Sequence, residues 1–123
     1  MATELVAGAT DRPQAEVGER ALALSVILPV YNEAESIRPV LQRLFEQLEQ
    51  IDEVRDRYEV IVVDDGSSDA TAEAIEAADL PVKLRQHPYN IGNGAAIKTG
   101  IRHARGDVLV MMDADGQHDP ADI

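Results

Sequence analysis

Four short apolar runs alternate with segments of helical periodicity, and this alternation constrains the fold more than any other feature of the sequence. The predicted strands lie at residues 22–29, 58–63, 82–86 and 108–112. Three of them contain unbroken stretches of β-branched or large aliphatic residues, a pattern typical of strands buried on both faces of a parallel sheet. We therefore expect an α/β fold, with a mostly parallel sheet of about four strands and flanking helices.

Three helices are predicted between these strands. In the first, apolar residues spaced three and four apart place one face of the helix against the sheet. These residues are Ile37, Val40, Leu41, Leu44, Leu48 and Ile51. Pro39 is tolerated only in the first turn because it lacks an N–H group, so Ser36 is favoured over Asn32 as the N-cap. The other two helices are expected from Asp69 or Thr71 to about residue 78, and from about residue 94 to residue 104.

The composition limits the kinds of protein and partner. The chain has 123 residues, of which 45% are hydrophobic, enough for one domain with a core. Its formal net charge of −12 argues against nucleic acid as a partner, because binding phosphate backbones draws on clustered Lys and Arg. Cysteine is absent, which excludes disulfides and thiolate metal sites. Residues 1–20 lack the features of a signal peptide and are expected to form a flexible leader.

Polar or acidic clusters follow three of the predicted strands. They are residues 29–33 (PVYNE), 64–69 (DDGSSD) and 113–118 (DADGQH). Ligands of open α/β sheets bind beyond the carboxyl ends of the strands, so these clusters converge on one edge of the sheet. Each cluster alone could be a turn or a helix cap, but their occurrence after three strands of one sheet favours a ligand site.

Asp113 and Asp115 stand two residues apart directly after the last apolar run. In an extended conformation both side chains project to the same side. Two such carboxylates suit Mg²⁺ or Mn²⁺, which fills its remaining positions with water and phosphate oxygens. A cation held there would make a diphosphate a better leaving group. The alternative is that the pair starts a turn and caps a helix opened by Asp119 and Pro120.

The other two clusters offer hydrogen-bonding groups for a nucleoside. The carboxylate of Asp64 or Asp65 could accept hydrogen bonds from a nucleobase N–H or a ribose hydroxyl, or could cap the helix that follows. Tyr31 and Glu33 could stack near a base and reach a ribose, or could belong to an ordinary loop between strand and helix.

A segment with two glycines, residues 90–94, precedes the third predicted helix. It differs from the dinucleotide-binding motif, because Ile97 occupies the place of the third glycine and the segment follows the third strand. A tight entry into a helix whose N–H groups face an anion explains the glycines better. His87, His103 and His118 lack metal-ligand spacing, and we expect surface or loop positions for them.

The sequence resembles the family-2 inverting glycosyltransferases of the GT-A fold, in particular the branch with dolichyl-phosphate mannosyltransferases and bacterial polyprenyl-phosphate sugar transferases. The resemblance runs from about residue 24 to residue 123 and rests on four ordered motifs, VILPVYNEAESI, VIVVDDGSSDAT, NIGNGAAIKTG and ARGDVLVMMDADGQHDP. It implies the Rossmann-like nucleotide-binding half of a GT-A fold, a nucleotide-diphosphate sugar linked to GDP or UDP, and Mg²⁺ or Mn²⁺ as the cofactor.

The resemblance also implies the residues of the site. The donor-binding residues would be Pro29, Tyr31, Glu33, Val63, Asp65, Asp113 and Ala114. Asp115 and Gln117 would ligate the metal, with Asp115 as the catalytic residue.

Members of this family continue well beyond the D-x-D segment. We therefore expect residues 21–123 to be the N-terminal part of a glycosyltransferase domain, the part that binds the nucleotide sugar. This domain would be truncated at its C-terminal end. The implied reaction moves a hexose, with inversion, from the donor to a polyprenyl or dolichyl phosphate. We expect a cytoplasmic location, at the cytoplasmic face of a membrane for a lipid acceptor, and an exposed edge through which copies could associate.

Two other functions are alternatives to a glycosyltransferase. One is a non-catalytic nucleotide-sugar-binding module, because the acceptor half is missing. The other is a phospho-receiver domain, which is disfavoured because its acidic pair belongs after the first strand, whereas here Asp64 and Asp65 follow the second.

Overall fold

The computed structural model describes residues 3–7 and 22–114 of the chain. The elements in chain order are β1 (Thr3–Ala7), β2 (Leu24–Val30), α1 (Ile37–Glu49), β3 (Tyr58–Asp64), α2 (Thr71–Ala77), β4 (Val82–Gln86), α3 (Asn93–His103) and β5 (Val108–Met112). The strands form one sheet in the order β1-β5-β2-β3-β4. Strands β5, β2, β3 and β4 are mutually parallel, which confirms the predicted α/β fold with its mostly parallel sheet.

Strand β1 extends the predicted sheet. It pairs antiparallel with β5, so that Thr3 lies opposite Met112 and Ala7 lies opposite Val108. The sequence predicts no strand in this segment, which falls within the expected leader, because its partner strand lies at the other end of the chain. The rest of the expected leader, residues 1–2 and 8–20, lies outside the described residues.

Burial on both faces of the sheet explains the unbroken apolar runs. All seven residues of β2 are buried. Leu24, Val26 and Leu28 belong to a core shared with α1, whereas Ile27 belongs to a second core shared with α3. Since successive side chains of a strand point to opposite faces, both sides of β2 must be apolar.

Helix α1 covers one face of the sheet. Its buried residues are Ile37, Val40, Leu41, Leu44, Phe45 and Leu48. Ser36 occupies the N-cap position as predicted, and Pro39 lies in the first turn, where its missing N–H leaves no hydrogen bond unmade. Ile51, predicted as part of the helical stripe, follows the helix and packs partly buried against the same core.

Helix α3 covers the opposite face and lies close to β2. A Cβ atom at Gly100 would clash with the side chain of Ile27, so a glycine is required for this approach. The longest helix among the described residues, α1, has 13 residues. None of the helices in that part of the chain combines the length and apolarity needed to cross a bilayer.

Candidate functional site

The order of the strands marks where a ligand would bind. The chain adds β3 and β4 on one side of β2, and α3 then returns it to add β5 on the other side. Open α/β sheets bind their ligands at such a reversal, in the crevice beyond the carboxyl ends of the strands. A cavity of about 520 Å³ lies there, within the size range of small-molecule sites. It is lined by Pro29, Val30, Tyr31, Glu33, Asp65, Asn90, Gly92, Asn93, Ala96, Asp113 and Ala114.

The loop after β2 carries Tyr31 and Glu33 and is braced by the loop after β3. The N–H of Asn32 donates to Ser67 Oγ over 2.9 Å, and the N–H of Glu33 donates to Thr71 Oγ1 over 2.9 Å. Asn32 adopts a positive φ of 53°, which asparagine tolerates better than most residues. Its side-chain oxygen accepts the N–H of Ser68 over 2.8 Å, so Asn32 joins the two loops instead of capping α1.

Ser36 connects Glu33 with the acidic segment after β5. Its hydroxyl donates to Glu33 Oε2 over 2.6 Å and lies 3.3 Å from the carbonyl oxygen of Ala114. No side-chain cap bond to α1 is formed by Ser36 among the described residues. The residue predicted only as an N-cap therefore links two sides of the cavity.

Asp64, the last residue of β3, and Asp65, which follows it, have different roles. The Asp64 carboxylate accepts the N–H and the hydroxyl of Ser67, at 3.0 and 2.5 Å, and thus forms a local turn. The Asp65 carboxylate instead contacts the segment that follows β4. One oxygen accepts from His87 Nδ1 at 2.7 Å and from the N–H of Ile91 at 3.0 Å. The structure thereby separates two neighbouring carboxylates that the sequence left ambiguous.

The other oxygen of Asp65 is equally engaged. It accepts from Asn90 Nδ2 at 2.9 Å and from the N–H of Gly92 at 2.8 Å. Burial alone would raise the pKa of the Asp65 carboxyl, but the hydrogen bonds from His87, Ile91 and Gly92 outweigh it and hold that pKa below its usual value. Asp65 is therefore a buried, ionised anchor for this segment.

Gly66 allows the segment after β4 to approach β3. Its φ is +70°, and a Cβ atom would clash with the backbone of Tyr89 and Asn90. A side chain at this position is excluded both by the backbone conformation and by space. The glycine thus sets how near Asn90, which lines the cavity, lies to Asp65.

Most of the predicted donor-binding residues meet at the cavity. Pro29, Tyr31, Glu33, Asp65, Asp113 and Ala114 line it. Val63 does not line this cavity, because it is fully buried in the core beneath α3. Asp115 and Gln117 lie outside the described residues.

No local sequence pattern predicted a site role for His87 or Ser36, or for Asn90, which lines the cavity. His87 was expected at the surface or in a loop, and it does lie in the loop after β4. Its side chain, however, is only 11% exposed and lies against Asp65. The rule that residues beyond the carboxyl end of a strand form the site could have found it, since His87 directly follows β4.

Two carboxylates besides Asp65 line the cavity. Asp113 is exposed at the end of β5, and Glu33 lines the same cavity. Carboxylate oxygens are the ligands that Mg²⁺ and Mn²⁺ prefer. Within residues 22–114, however, no three or more Asp, Glu or His residues are grouped to hold a metal ion. The assignment of the metal to Asp115 and Gln117 stays a prediction.

Comparison with known proteins places this site in a family context. The sequence profile of glycosyl transferase family 2 matches residues 25–123. The chain is 38% identical over 104 residues to undecaprenyl-phosphate 4-deoxy-4-formamido-L-arabinose transferase of Pseudomonas fluorescens, with 81% of this chain and 30% of the relative covered. It is 40% identical over 111 residues to dolichyl-phosphate beta-glucosyltransferase ALG5D of Trichomonas vaginalis, with 86% of this chain and 32% of the relative covered.

A similar fold occurs in a solved structure with a bound donor. This is a mannosyltransferase from Pyrobaculum calidifontis in complex with GDP-Man and Mn²⁺, which superposes with a TM-score of 0.68 at 35% sequence identity. The superposition covers 85% of this chain and 31% of the mannosyltransferase. The chain thus spans about a third of the length of the proteins it matches.

Proposed function

Because the chain belongs to glycosyl transferase family 2, we propose that it binds a nucleotide-diphosphate sugar, linked to GDP or UDP, for hexosyl transfer to a polyprenyl or dolichyl phosphate. The observation that carries this proposal is the convergence of residues from the ends of β2, β3 and β5 on one cavity at the reversal of strand order. Six of the seven expected donor contacts line that cavity.

The lining residues divide the cavity by chemistry. Tyr31 is 47% exposed and lines the cavity, so its ring is available to stack on a nucleobase. Glu33 offers acceptor capacity for a ribose hydroxyl, since the bond from Ser36 uses only one of about four lone-pair positions of a carboxylate. Asp113, which lines the cavity directly after β5, is available to the sugar-diphosphate end of the donor.

Asp115 and Gln117 would hold the divalent cation, Mg²⁺ or Mn²⁺. When bound, the cation would neutralise the charge of the nucleotide diphosphate. In the transfer, an oxygen of the acceptor phosphate forms a bond to the anomeric carbon while the bond from that carbon to the nucleotide diphosphate breaks. A phosphate acceptor is already nucleophilic, so the chain need not supply a strong base.

The relatives support the class of acceptor. Both curated proteins described above act, by their names, on a polyprenyl-type phosphate. An acceptor of this kind has a long hydrocarbon tail, and it would place the reaction at the surface of a membrane. We propose the cytoplasmic face, where nucleotide sugars would reach the cavity.

Calorimetric titration of the full chain with GDP and with UDP tests donor binding. With Mn²⁺ present, one of the two should bind, and Asp115→Asn should weaken that binding by at least about tenfold, because a charged metal ligand is lost. Asp107→Asn is the matched control, since Asp107 is exposed at the opposite end of β5. If the folded chain binds neither nucleotide with Mn²⁺ present, the proposal is wrong.

Transfer needs a separate measurement. The full chain is mixed with a labelled GDP- or UDP-sugar and undecaprenyl phosphate in detergent, and labelled lipid is counted. Labelled lipid supports the transferase. Binding without labelled lipid restricts these residues to a nucleotide-sugar-binding module.

A further inference from the structure

His87 is held at three points between the sheet and α3. Its ring Nδ1 lies 2.7 Å from Asp65 Oδ1, and its ring Nε2 lies 2.8 Å from Thr99 Oγ1. Its backbone N–H donates to the carbonyl oxygen of Asp64 over 2.8 Å. The side chains of His87 and Asp65 are only 11% and 5% exposed. A ring engaged at both nitrogens and at the backbone has a single orientation.

The proton on Nδ1 follows from its partner. An ionised carboxylate only accepts hydrogen bonds, so Nδ1 must be the donor to Asp65. The Thr99 hydroxyl can donate to Nε2 of a neutral ring or accept from Nε2 of a charged one. Thr99 therefore satisfies the far side of the ring in either state, and the bond from His87 to Asp65 persists.

Because Asp65 is held in place by His87, it can in turn fix residues 90–92 at the rim of the cavity. It accepts hydrogen bonds from the N–H groups of Ile91 and Gly92 and from the side chain of Asn90. Asn90 and Gly92 line the cavity, and Gly92 directly precedes α3. Together with the bond from His87, these contacts fill the roughly four acceptor positions of the carboxylate.

We propose that His87 is a positioning residue for the donor site. It fixes the Asp65 carboxylate, which holds residues 90–92 in the shape that the nucleotide meets, and Thr99 fixes the ring. This role rests on the proposed donor binding. It also predicts a local effect that is measurable without any nucleotide, namely protection of the N–H groups of Ile91 and Gly92 against hydrogen exchange.

The first experiment measures amide hydrogen exchange of the full chain without ligand. In His87→Ala, exchange at Ile91 and Gly92 should quicken about tenfold relative to the amides of β2 and β3, because the anchoring carboxylate loses a charge-assisted hydrogen bond. In His87→Asn, whose amide nitrogen can replace Nδ1, much of the protection should return. Thr99→Val should give a smaller change in the same direction, and it serves as the test if His87→Ala does not fold.

The second experiment measures nucleotide affinity with Mn²⁺ present. His87→Ala should weaken binding about tenfold, and His87→Asn should restore it in part. His103→Ala is the control, because the His103 ring hydrogen-bonds to the backbone carbonyl of Thr99 and makes no hydrogen bond to Asp65 within the described residues.

Several outcomes would overturn the role of His87. They are wild-type exchange at Ile91 and Gly92 in folded His87→Ala, equal acceleration of all amides, or no difference between His87→Ala and His87→Asn. These outcomes differ from a failure of the proposed donor binding. In that case the wild-type chain would bind neither nucleotide, and the exchange experiment would still decide whether His87 orders residues 90–92.

Discussion

Glu59 and Asp65 are buried carboxylates near opposite ends of β3, and each accepts several hydrogen bonds, one of them from a basic side chain. Glu59 contacts Lys83 Nζ at 2.5 Å and accepts from the hydroxyl of Ser25 and the N–H of Arg105, both at 2.6 Å. Asp65 has His87 as its titratable partner, together with two backbone N–H groups. Both carboxyls have lowered pKa values, because hydrogen bonds outweigh the effect of burial.

The two clusters differ in what they connect. The partners of Glu59 come from β2, from β4 and from the turn between α3 and β5, at the end of the sheet away from the cavity. Those of Asp65 come from residues 87–92, which run into the cavity wall. The hydrogen bonds of Glu59 thus connect strands and a turn at one end of the sheet. Those of Asp65 position residues of the cavity wall at the other end. Stability and affinity should therefore respond separately to changes in the two clusters.

The largest effect is expected for Glu59→Ala. It removes a buried carboxylate and leaves Ser25 and the N–H of Arg105 to find other partners, so the free energy of unfolding should fall by about 3 kcal/mol. A greater loss is not expected, because the Lys83 side chain is 42% exposed and can return to water. Urea unfolding measures the change, and Glu46→Ala on the exposed face of α1 is the control. A loss no larger than that of the control would contradict a stabilising role for Glu59.

Matched amide substitutions compare the two clusters directly. Asp65→Asn should weaken nucleotide binding by about tenfold, or about 1.4 kcal/mol, because a neutral amide cannot hold residues 90–92 as firmly. Glu59→Gln makes the same chemical change at the far end of β3 and should leave affinity within about twofold of wild type. Calorimetry with Mn²⁺ present measures both. Equal losses of affinity in the two variants would contradict the proposal that only the Asp65 cluster affects nucleotide binding.

The smallest effect is expected in the dependence of stability on pH. A carboxyl whose pKa is lowered by folding stabilises the native state above its unfolded pKa, and this contribution is lost as the pH falls through the folded value. The usual pKa values of Glu59 and Asp65 are 4.5 and 3.8, so the wild-type chain should lose stability below about pH 4.5.

Urea midpoints between about pH 3 and pH 7 measure this dependence. Glu59→Gln should lose less stability over the acid range than wild type, because one of the two titrating carboxyls is absent. Identical pH profiles for the two chains would show that Glu59 does not contribute in this way.

Local patterns predicted the parallel part of the fold well. The apolar runs marked four strands, and the spacing of Val40, Leu44 and Leu48 marked the face of α1. Pro39 was sufficient to choose Ser36 over Asn32 as the N-cap, because its missing N–H restricts it to the first turn. Strand β1 was not predicted, since its pairing with β5 depends on a contact between distant parts of the chain.

The candidate site was predictable in position and only partly in detail. The strand-end rule and the family resemblance together identified Tyr31, Glu33 and Asp113 at the cavity. The bonds of Ser36 to Glu33 and of His87 to Asp65 depend on three-dimensional placement, and no local pattern specifies them.

The arrangement of the sheet also bears on how copies of the chain would meet. Strand β1 pairs with β5, so the edges of the described sheet are β1 and β4. Strand β4 carries Lys83 and Arg85, and charged side chains on an edge strand disfavour pairing with a second sheet. Two copies joined through β4 would bring these cations close together, and their mutual repulsion would oppose the pairing. We therefore expect Lys83, which pairs with the buried Glu59 carboxylate, also to disfavour the pairing of a second sheet with this open edge.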